Sequence, residues 1–164
     1  LICIQTVCIK TMADTSLNEN RLALLIWQTA NLWQSKVRIK LKENEITLNE
    51  YLILETIYLL QKKNVNITQQ EICKNASIDR SVVSLRVSML EEKKLISKQQ
   101  PKDRRSNSLT LTVAGNNLIN NIIDNIVELE NELFNKLGSE IFNFTNSLKL
   151  LLGKKIRIRA KLND

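Results

Sequence analysis

The sequence contains no histidine, and its 164 residues include only three cysteines, three glycines and one proline. A zinc site built from histidine and cysteine is not expected, because the cysteines also lack Cys-x-x-Cys spacing. So few glycines and prolines favour long helices over a β-sandwich with many tight turns. No apolar run approaches the roughly 20 residues of a membrane-spanning helix. The odd cysteine count argues against a disulfide framework, so we expect a cytoplasmic protein without membrane association.

Sequence motifs of catalysis are also missing. The chain has neither a glycine-rich phosphate loop nor a Gly-x-Ser-x-Gly nucleophile elbow, and without histidine it lacks the commonest general base. We therefore expect no enzyme activity, no cofactor and no bound metal. The apolar fraction is 43%, enough for a folded core, and the net charge is +7. Excess positive charge is compatible with a polyanionic partner such as nucleic acid.

The N-terminal residues 1–15 differ in character from the rest of the chain. Residues 1–11 are mainly apolar, whereas Met12 begins a polar stretch. The segment lacks the basic region and the cleavage site of a secretory signal. We expect translation to start at Met12, which makes residues 1–11 an untranslated extension. The alternative is a flexible apolar arm that docks on a dimer.

Two helical regions flank the centre of the chain. Residues 16–46 and 113–153 carry apolar side chains at the 3.6-residue period of an amphipathic helix, with a break at Gly138 in the second region. Their apolar faces are wider than one small lobe can cover, so we expect pairing with a second copy. Residues 154–164 form a basic tail. The pattern predicts a mainly α protein with N- and C-terminal dimerisation helices.

Residues 47–112 contain the most informative pattern. The Thr-x-x-Glu spacing of a capping box occurs at Thr47 and again at Thr68, and each box predicts the start of a helix. Asp79 is a suitable N-cap for the next helix. Two short alternating strands follow, and a basic loop at residues 101–105 joins them. This is the order of a helix-turn-helix with a β-hairpin wing, a structure that reads duplex DNA.

The DNA contacts of such a lobe follow from groove chemistry. The second helix of the motif lies in the major groove, where arginine can bind guanine, serine can bond base or phosphate, and leucine can touch a thymine methyl group. Basic side chains at the wing tip suit the negative potential of a narrow minor groove, and Asp103 can orient Arg105. The residues expected to contact DNA are Thr68, Gln69, Arg80, Ser81, Ser84, Leu85, Arg86, Lys102, Asp103, Arg104 and Arg105.

Several of these residues match a known family. The segments Thr68-Gln69-Gln70-Glu71, Asp79-Arg80-Ser81 and Asp103-Arg104-Arg105, with Gly115 following the second strand, closely resemble the MarR family of winged-helix regulators. The resemblance implies a homodimer that binds a pseudo-palindromic operator and usually represses nearby genes. It also implies release from DNA by a small ligand, commonly phenolic, in a cleft beside the dimerisation helices. The candidate pocket residues are Trp27, Trp33 and Tyr58.

The chain departs from the family pattern at three places in this segment, one of which is Lys98 in the first strand, where the family usually has arginine. Lys94 stands where the family usually has glycine, and a left-handed backbone there costs lysine roughly 1 kcal/mol, so the turn is expected to differ. Leu85 and Arg86 reverse the family's usual order of a basic and an apolar residue. A winged-helix module that binds a protein partner, without specific DNA binding, is the alternative function.

Overall fold

The computed structural model describes residues 21–63, 65–99 and 108–156. The chain divides into two units, residues 1–126 and 127–164, and the division falls within one long helix. The expected arm at residues 1–15 and most of the basic tail lie outside the described residues. So do the four expected wing contacts Lys102, Asp103, Arg104 and Arg105.

The described part of the first unit contains helices and one hairpin. Its elements are α1 (Leu22–Lys42), α2 (Leu48–Gln61), α3 (Gln69–Ala76), α4 (Arg80–Glu92), β1 (Ile96–Gln99), β2 (Ser108–Leu111) and the start of α5 (Val113–Phe134). This confirms the predicted mainly α winged helix-turn-helix fold. None of the helices in the described ranges is both long and apolar enough to cross a membrane.

Helix α2 lies at the centre of the first unit and packs against α1, α3, α4 and β2. Its Ile53, Leu54 and Ile57 are fully buried, as are Val83 and Val87 on the facing helix α4. Burial of each such side chain contributes roughly 1.5–3 kcal/mol. Val83 and Val87 are four residues apart, so α4 has one buried side and one exposed side.

The hairpin pairs β1 and β2 in antiparallel register, from Ile96 opposite Leu111 to Gln99 opposite Ser108. Ile96, Leu109 and Leu111 are buried, so the inner face of the hairpin joins the core. The backbone N–H of Leu109 also donates to the carbonyl of Ile67 at 2.8 Å, which ties β2 to the segment before α3. The base of the wing is therefore fixed to the lobe.

The first predicted capping box is confirmed in both directions. The N–H of Thr47 donates to Glu50 Oε2 at 2.7 Å, and the N–H of Glu50 donates to Thr47 Oγ1 at 3.4 Å. Thr68 caps α3 by accepting from the N–H of Glu71 at 3.2 Å. Asp79 occupies the N-cap position of α4, but its side chain makes no capping hydrogen bond.

The start of α5 approaches the start of the wing closely. Thr112 Oγ1 donates to the carbonyl of Lys94 at 2.7 Å and accepts from the N–H of Gly115 at 3.0 Å. A Cβ atom at Gly115 would lie 2.0 Å from the carbonyl oxygen of Leu95, a distance no side chain can occupy. Glycine is therefore required at position 115 for α5 to pack against the hairpin.

The second unit is described over residues 127–156. It contains the end of α5, a 3₁₀ segment (Asn135–Glu140) and α6 (Ile141–Leu151). Gly138 interrupts the segment with φ 51° and ψ −125°, which confirms the predicted break. Leu150 and Leu151 are 61% and 75% exposed, so α6 leaves apolar surface uncovered in a single chain.

Candidate nucleic-acid interface

The helix-turn-helix consists of α3 and α4, which pack against each other and against α2. Ser77 ends α3 in the left-handed region, at φ 54° and ψ 41°, and this conformation turns the chain toward Asp79. Ile72 of α3 and Leu90 of α4 are fully buried, so both helices are held by the core. The outer side of α4 is consequently presented on a rigid base.

The outer side of α4 is a stripe of five exposed residues. They occupy positions i, i+1, i+4, i+5 and i+8 of the helix, which share one face. Three are serines, one is an arginine at the first residue of the helix, and one is a leucine that is 59% exposed. We call this set the exposed stripe of α4: Arg80, Ser81, Ser84, Leu85 and Ser88.

Arg86 lies outside this stripe, although it was expected to face outward with the others. Its Nη1 donates to Met89 Sδ at 3.3 Å, and the residue is half-buried. Its Nε is buried and has no hydrogen-bond partner among the described residues. The physical reason is helical geometry: position 86 follows the buried Val83 by three residues, so it lies beside the buried face rather than opposite it.

An ion pair between a buried glutamate and a partly exposed lysine holds the other end of α4. Glu50 of α2 is fully buried, and its Oε1 accepts from Lys93 Nζ at 3.0 Å. The same ammonium donates to the carbonyl of Glu45 at 2.9 Å. Lys93 is the C-cap residue of α4, so the pair joins the end of α4 to the start of α2. It fixes the position of the helix from which the exposed stripe projects.

The environment of Glu50 keeps its carboxylate ionised. Burial raises the pKa of this carboxyl group, but the hydrogen bond from the Thr47 backbone N–H and the neighbouring Lys93 lower it by more. The net pKa of Glu50 lies below its usual value of 4.5. Both oxygens therefore remain hydrogen-bond acceptors at neutral pH, and the charge of Lys93 is matched.

The turn after α4 keeps the left-handed geometry in spite of its lysine. Lys94 has φ 56°, and the N–H groups of Lys94 and Leu95 donate to the carbonyls of Glu91 and Leu90, both at 2.9 Å. These two bonds form a Schellman motif, in which glycine is the usual left-handed residue. The expectation that the turn would differ is wrong, because the hydrogen bonds and the packing of Leu95 outweigh the strain at Lys94.

The expected contacts at the start of α3 are less exposed than the stripe. Thr68 and Gln69 are both half-buried, and the Thr68 hydroxyl already caps the helix. The first backbone N–H groups of α3 are an anion-binding feature that needs no long side chain.

The three candidate pocket residues differ in their surroundings. Trp27 is 63% exposed, whereas Trp33 and Tyr58 are half-buried. Lys62 Nζ lies 4.0 Å from the centre of the Tyr58 ring, a cation–π contact. Within residues 21–63, 65–99 and 108–156, no three His, Cys, Asp or Glu side chains cluster so as to hold a metal ion.

Sequence reasoning missed the Glu50–Lys93 pair. The capping box identified Glu50 as a helix-start residue, but a partner 43 residues away leaves no local signal. The large apolar residues Leu48, inside the box, and Tyr51, directly after it, are the local feature that could have indicated burial of Glu50.

Comparison with known proteins gives a helix-turn-helix transcriptional regulator as a relative. No family model matches the chain. A segment of 92 residues is 29% identical to YdcH of Bacillus subtilis strain 168, an uncharacterized HTH-type transcriptional regulator. The alignment covers 56% of this chain and 63% of that relative, so less than two thirds of the relative's length is matched.

Two solved structures show the same fold. The MepR–DNA complex of S. aureus is 26% identical with a TM-score of 0.74, over 82% of this chain and 98% of that one. A MarR transcriptional regulator from Methanosarcina mazei Go1 is 21% identical with a TM-score of 0.69, over 80% of this chain and 94% of that one. The second similarity is one of fold, whereas the first extends to sequence.

Proposed function

We propose that this winged helix-turn-helix chain is a regulator of the MarR type, which binds duplex DNA and regulates transcription. The observation that carries the proposal is the exposed stripe of α4. Its short serine side chains allow the helix backbone to approach base edges, and Arg80 at its start can bind a guanine or a phosphate. The stripe lies on the second helix of the motif, the one that enters the major groove.

The remaining contacts of the proposal surround that groove. The N-termini of α3 and α4 are suited to bind phosphates on the two edges of the major groove. Thr68 and Gln69 lie at the N-terminus of α3. The wing residues Lys102, Asp103, Arg104 and Arg105 are proposed for the adjacent minor groove. Arg86 enters the proposal only as a support for α4, since its side chain lies on the flank.

We propose that the DNA-binding form is a homodimer. In the first unit, α1 exposes a row of large apolar side chains: Leu22, Leu25, Ile26 and Leu32. In the second unit, α6 exposes Ile141, Leu150 and Leu151. A second copy that covers these faces gives a two-fold molecule with two copies of α4, and such a dimer suits a pseudo-palindromic operator. Two chains of net charge +7 each also favour a polyanionic partner.

Release by a small molecule completes the proposal. The partial exposure of Trp33 and Tyr58 leaves aromatic surface for a planar, phenolic effector. We also propose that the chain represses nearby genes in the cytoplasm and has no catalytic activity.

A negative charge added to the exposed stripe of α4 tests its role in DNA binding. Duplexes that bind the purified protein can be selected from fragments of the source genome, and their affinity measured for two variants. We expect Ser84→Glu to weaken binding by about tenfold or more, because a carboxylate in the groove repels phosphate. Asn44→Glu in the turn after α1 is the matched control, since it changes the net charge equally at an exposed polar residue. Equal weakening by both variants would contradict a DNA-binding role for α4.

The protein-interaction alternative makes a different prediction. A module that uses the same surface for a protein partner has no need of duplex DNA, so no genomic fragment would be enriched at moderate salt. Enrichment that Ser84→Glu weakens and Asn44→Glu preserves would exclude this alternative.

A further inference from the structure

The exposed stripe of α4 carries one apolar side chain, that of Leu85, and we propose that Leu85 reads the C5-methyl group of thymine. This inference rests on the proposed function and names the class of DNA sequence that the same surface selects. The operator half-site would then carry thymine under the centre of α4, where recognition depends on an apolar contact rather than on an arginine bound to guanine.

The placement of Leu85 is the first argument. It is 59% exposed, and of its four neighbours on the helix surface at i±3 and i±4, the two that belong to the exposed stripe, Ser81 and Ser88, are serines. The hydroxyl of one of them, Ser88, already donates to the carbonyl of Ser84 at 3.2 Å. Because serine side chains are short, Leu85 projects beyond them. It is therefore the side chain in the middle of the stripe that extends furthest toward the groove.

The second argument is the direction of the adjacent arginine. Arg86 follows Leu85 directly, but its Nη1 donates to Met89 Sδ at 3.3 Å and its Nε is buried. Its guanidinium is thus committed to the flank of α4. Among the described residues of α4, Arg80 is the one arginine on the exposed stripe, and it lies at the helix start. The middle of the stripe offers hydroxyl groups and one apolar side chain.

The chemistry of base edges then selects the partner. In the major groove, thymine presents a methyl group, whereas guanine presents two acceptors and cytosine an amino donor. A leucine placed against guanine or cytosine would remove water from polar groups and return no hydrogen bond, which is unfavourable. Against thymine, the same leucine can cover the apolar methyl group without removing water from the O4 acceptor of that base. An exposed Leu85 therefore favours thymine at the base pair that it reaches.

The experiment removes the methyl group itself. A random-sequence duplex library is selected with the wild-type protein, and the most enriched duplex is synthesised with thymidine or with deoxyuridine at every thymine position. We expect the wild-type protein to bind the uracil duplex about fourfold more weakly for each contacted methyl group that is lost. Leu85→Ala should bind the thymine duplex more weakly than wild type. Its affinities for the thymine and the uracil duplex should agree within about twofold, because the contact that distinguishes them is gone.

A matched control separates the contact from general effects. Leu59 on α2 is 50% exposed, so Leu59→Ala makes the same chemical change away from α4 and should retain the wild-type preference for thymine. If wild type and Leu85→Ala lose affinity equally on the uracil duplex, the inference is wrong, while DNA binding stands. If no sequence is enriched from the library at all, the proposed function fails and the inference fails with it.

Discussion

At the scale of single residues, Glu50 links helix capping to the placement of α4. One carboxylate oxygen accepts from the backbone of Thr47, and the other accepts from Lys93, so the charge is fully coordinated inside the lobe. A buried carboxylate without such partners would lose several kcal/mol of hydration. Its ionisation therefore contributes to stability only because the folded chain supplies both donors.

This arrangement predicts a pH-dependent effect of Glu50→Gln. The folded-state pKa of Glu50 lies below 4.5, so the stabilisation by its ionised form is complete above about pH 4.5 and is lost as the pH falls through the folded-state pKa. We expect the variant to be about 1–2 kcal/mol less stable than wild type at pH 7, because a charged hydrogen bond is lost. The difference should shrink toward pH 3, as measured by urea unfolding at both pH values.

An exposed carboxylate serves as the control for that measurement. The Glu43 side chain is 66% exposed and lies 3.9 Å from Lys40, so Glu43→Gln should change stability little at either pH. A difference between wild type and Glu50→Gln that stays constant from pH 7 to pH 3 would show that ionisation of Glu50 does not stabilise the fold.

At the scale of elements, the turn between α4 and β1 sets the direction of the wing. Lys94 adopts φ 56° within the Schellman motif, and its carbonyl accepts from the hydroxyl of Thr112 at 2.7 Å. Gly115 allows the start of α5 to approach Leu95. The strain at Lys94 is therefore retained by contacts on both sides of the turn.

Replacing the strained lysine should stabilise the turn. We expect Lys94→Gly to raise the free energy of unfolding by about 0.5–1 kcal/mol, since glycine adopts the left-handed region without steric cost. Lys93→Gly, one residue earlier, should lower it by about 1–2 kcal/mol, because Lys93 has φ −71° and holds Glu50. Urea unfolding of both variants tests the pair. A loss of stability in Lys94→Gly would contradict the strain at this residue.

Local sequence patterns predicted most helices and strands correctly, but they could not predict contacts between residues that are distant in the sequence. The capping threonines Thr47 and Thr68 and the alternation in β2 act within a few residues, so the starts of α2 and α3 and the hairpin could be read directly. The side-chain direction of Arg86 depends on which neighbours bury the flank of α4. Lys93 meets Glu50 only after α2 and α4 have packed together. Neither contact has a sequence pattern of its own.

The candidate site was predicted in outline rather than in detail. Exposure of Arg80, Ser81, Ser84 and Leu85 follows from the position of the buried residues in α4, so a 3.6-residue period was sufficient to choose that face. The roles of these residues at DNA remain predictions, as do those of the wing residues beyond Gln99.

At the scale of the whole molecule, the proposed activity depends on two copies of the chain. Each chain carries one exposed stripe on α4, whereas a pseudo-palindromic operator has two half-sites. The exposed apolar residues of α1 and of α6, each within its own unit, are the surfaces proposed for the partner. Association should therefore depend weakly on salt, and DNA binding strongly, because the first buries apolar surface and the second neutralises phosphates.

Sedimentation of the purified protein with a labelled duplex selected from genomic fragments tests the central claim most directly. The account predicts a complex of two chains per duplex, whose log affinity falls with log salt by roughly 0.9 for each phosphate neutralised. The same experiment with Ser84→Glu should leave the free protein dimeric and weaken the complex by about tenfold or more. A protein that sediments as a single chain at every concentration and binds no duplex at low salt would contradict it.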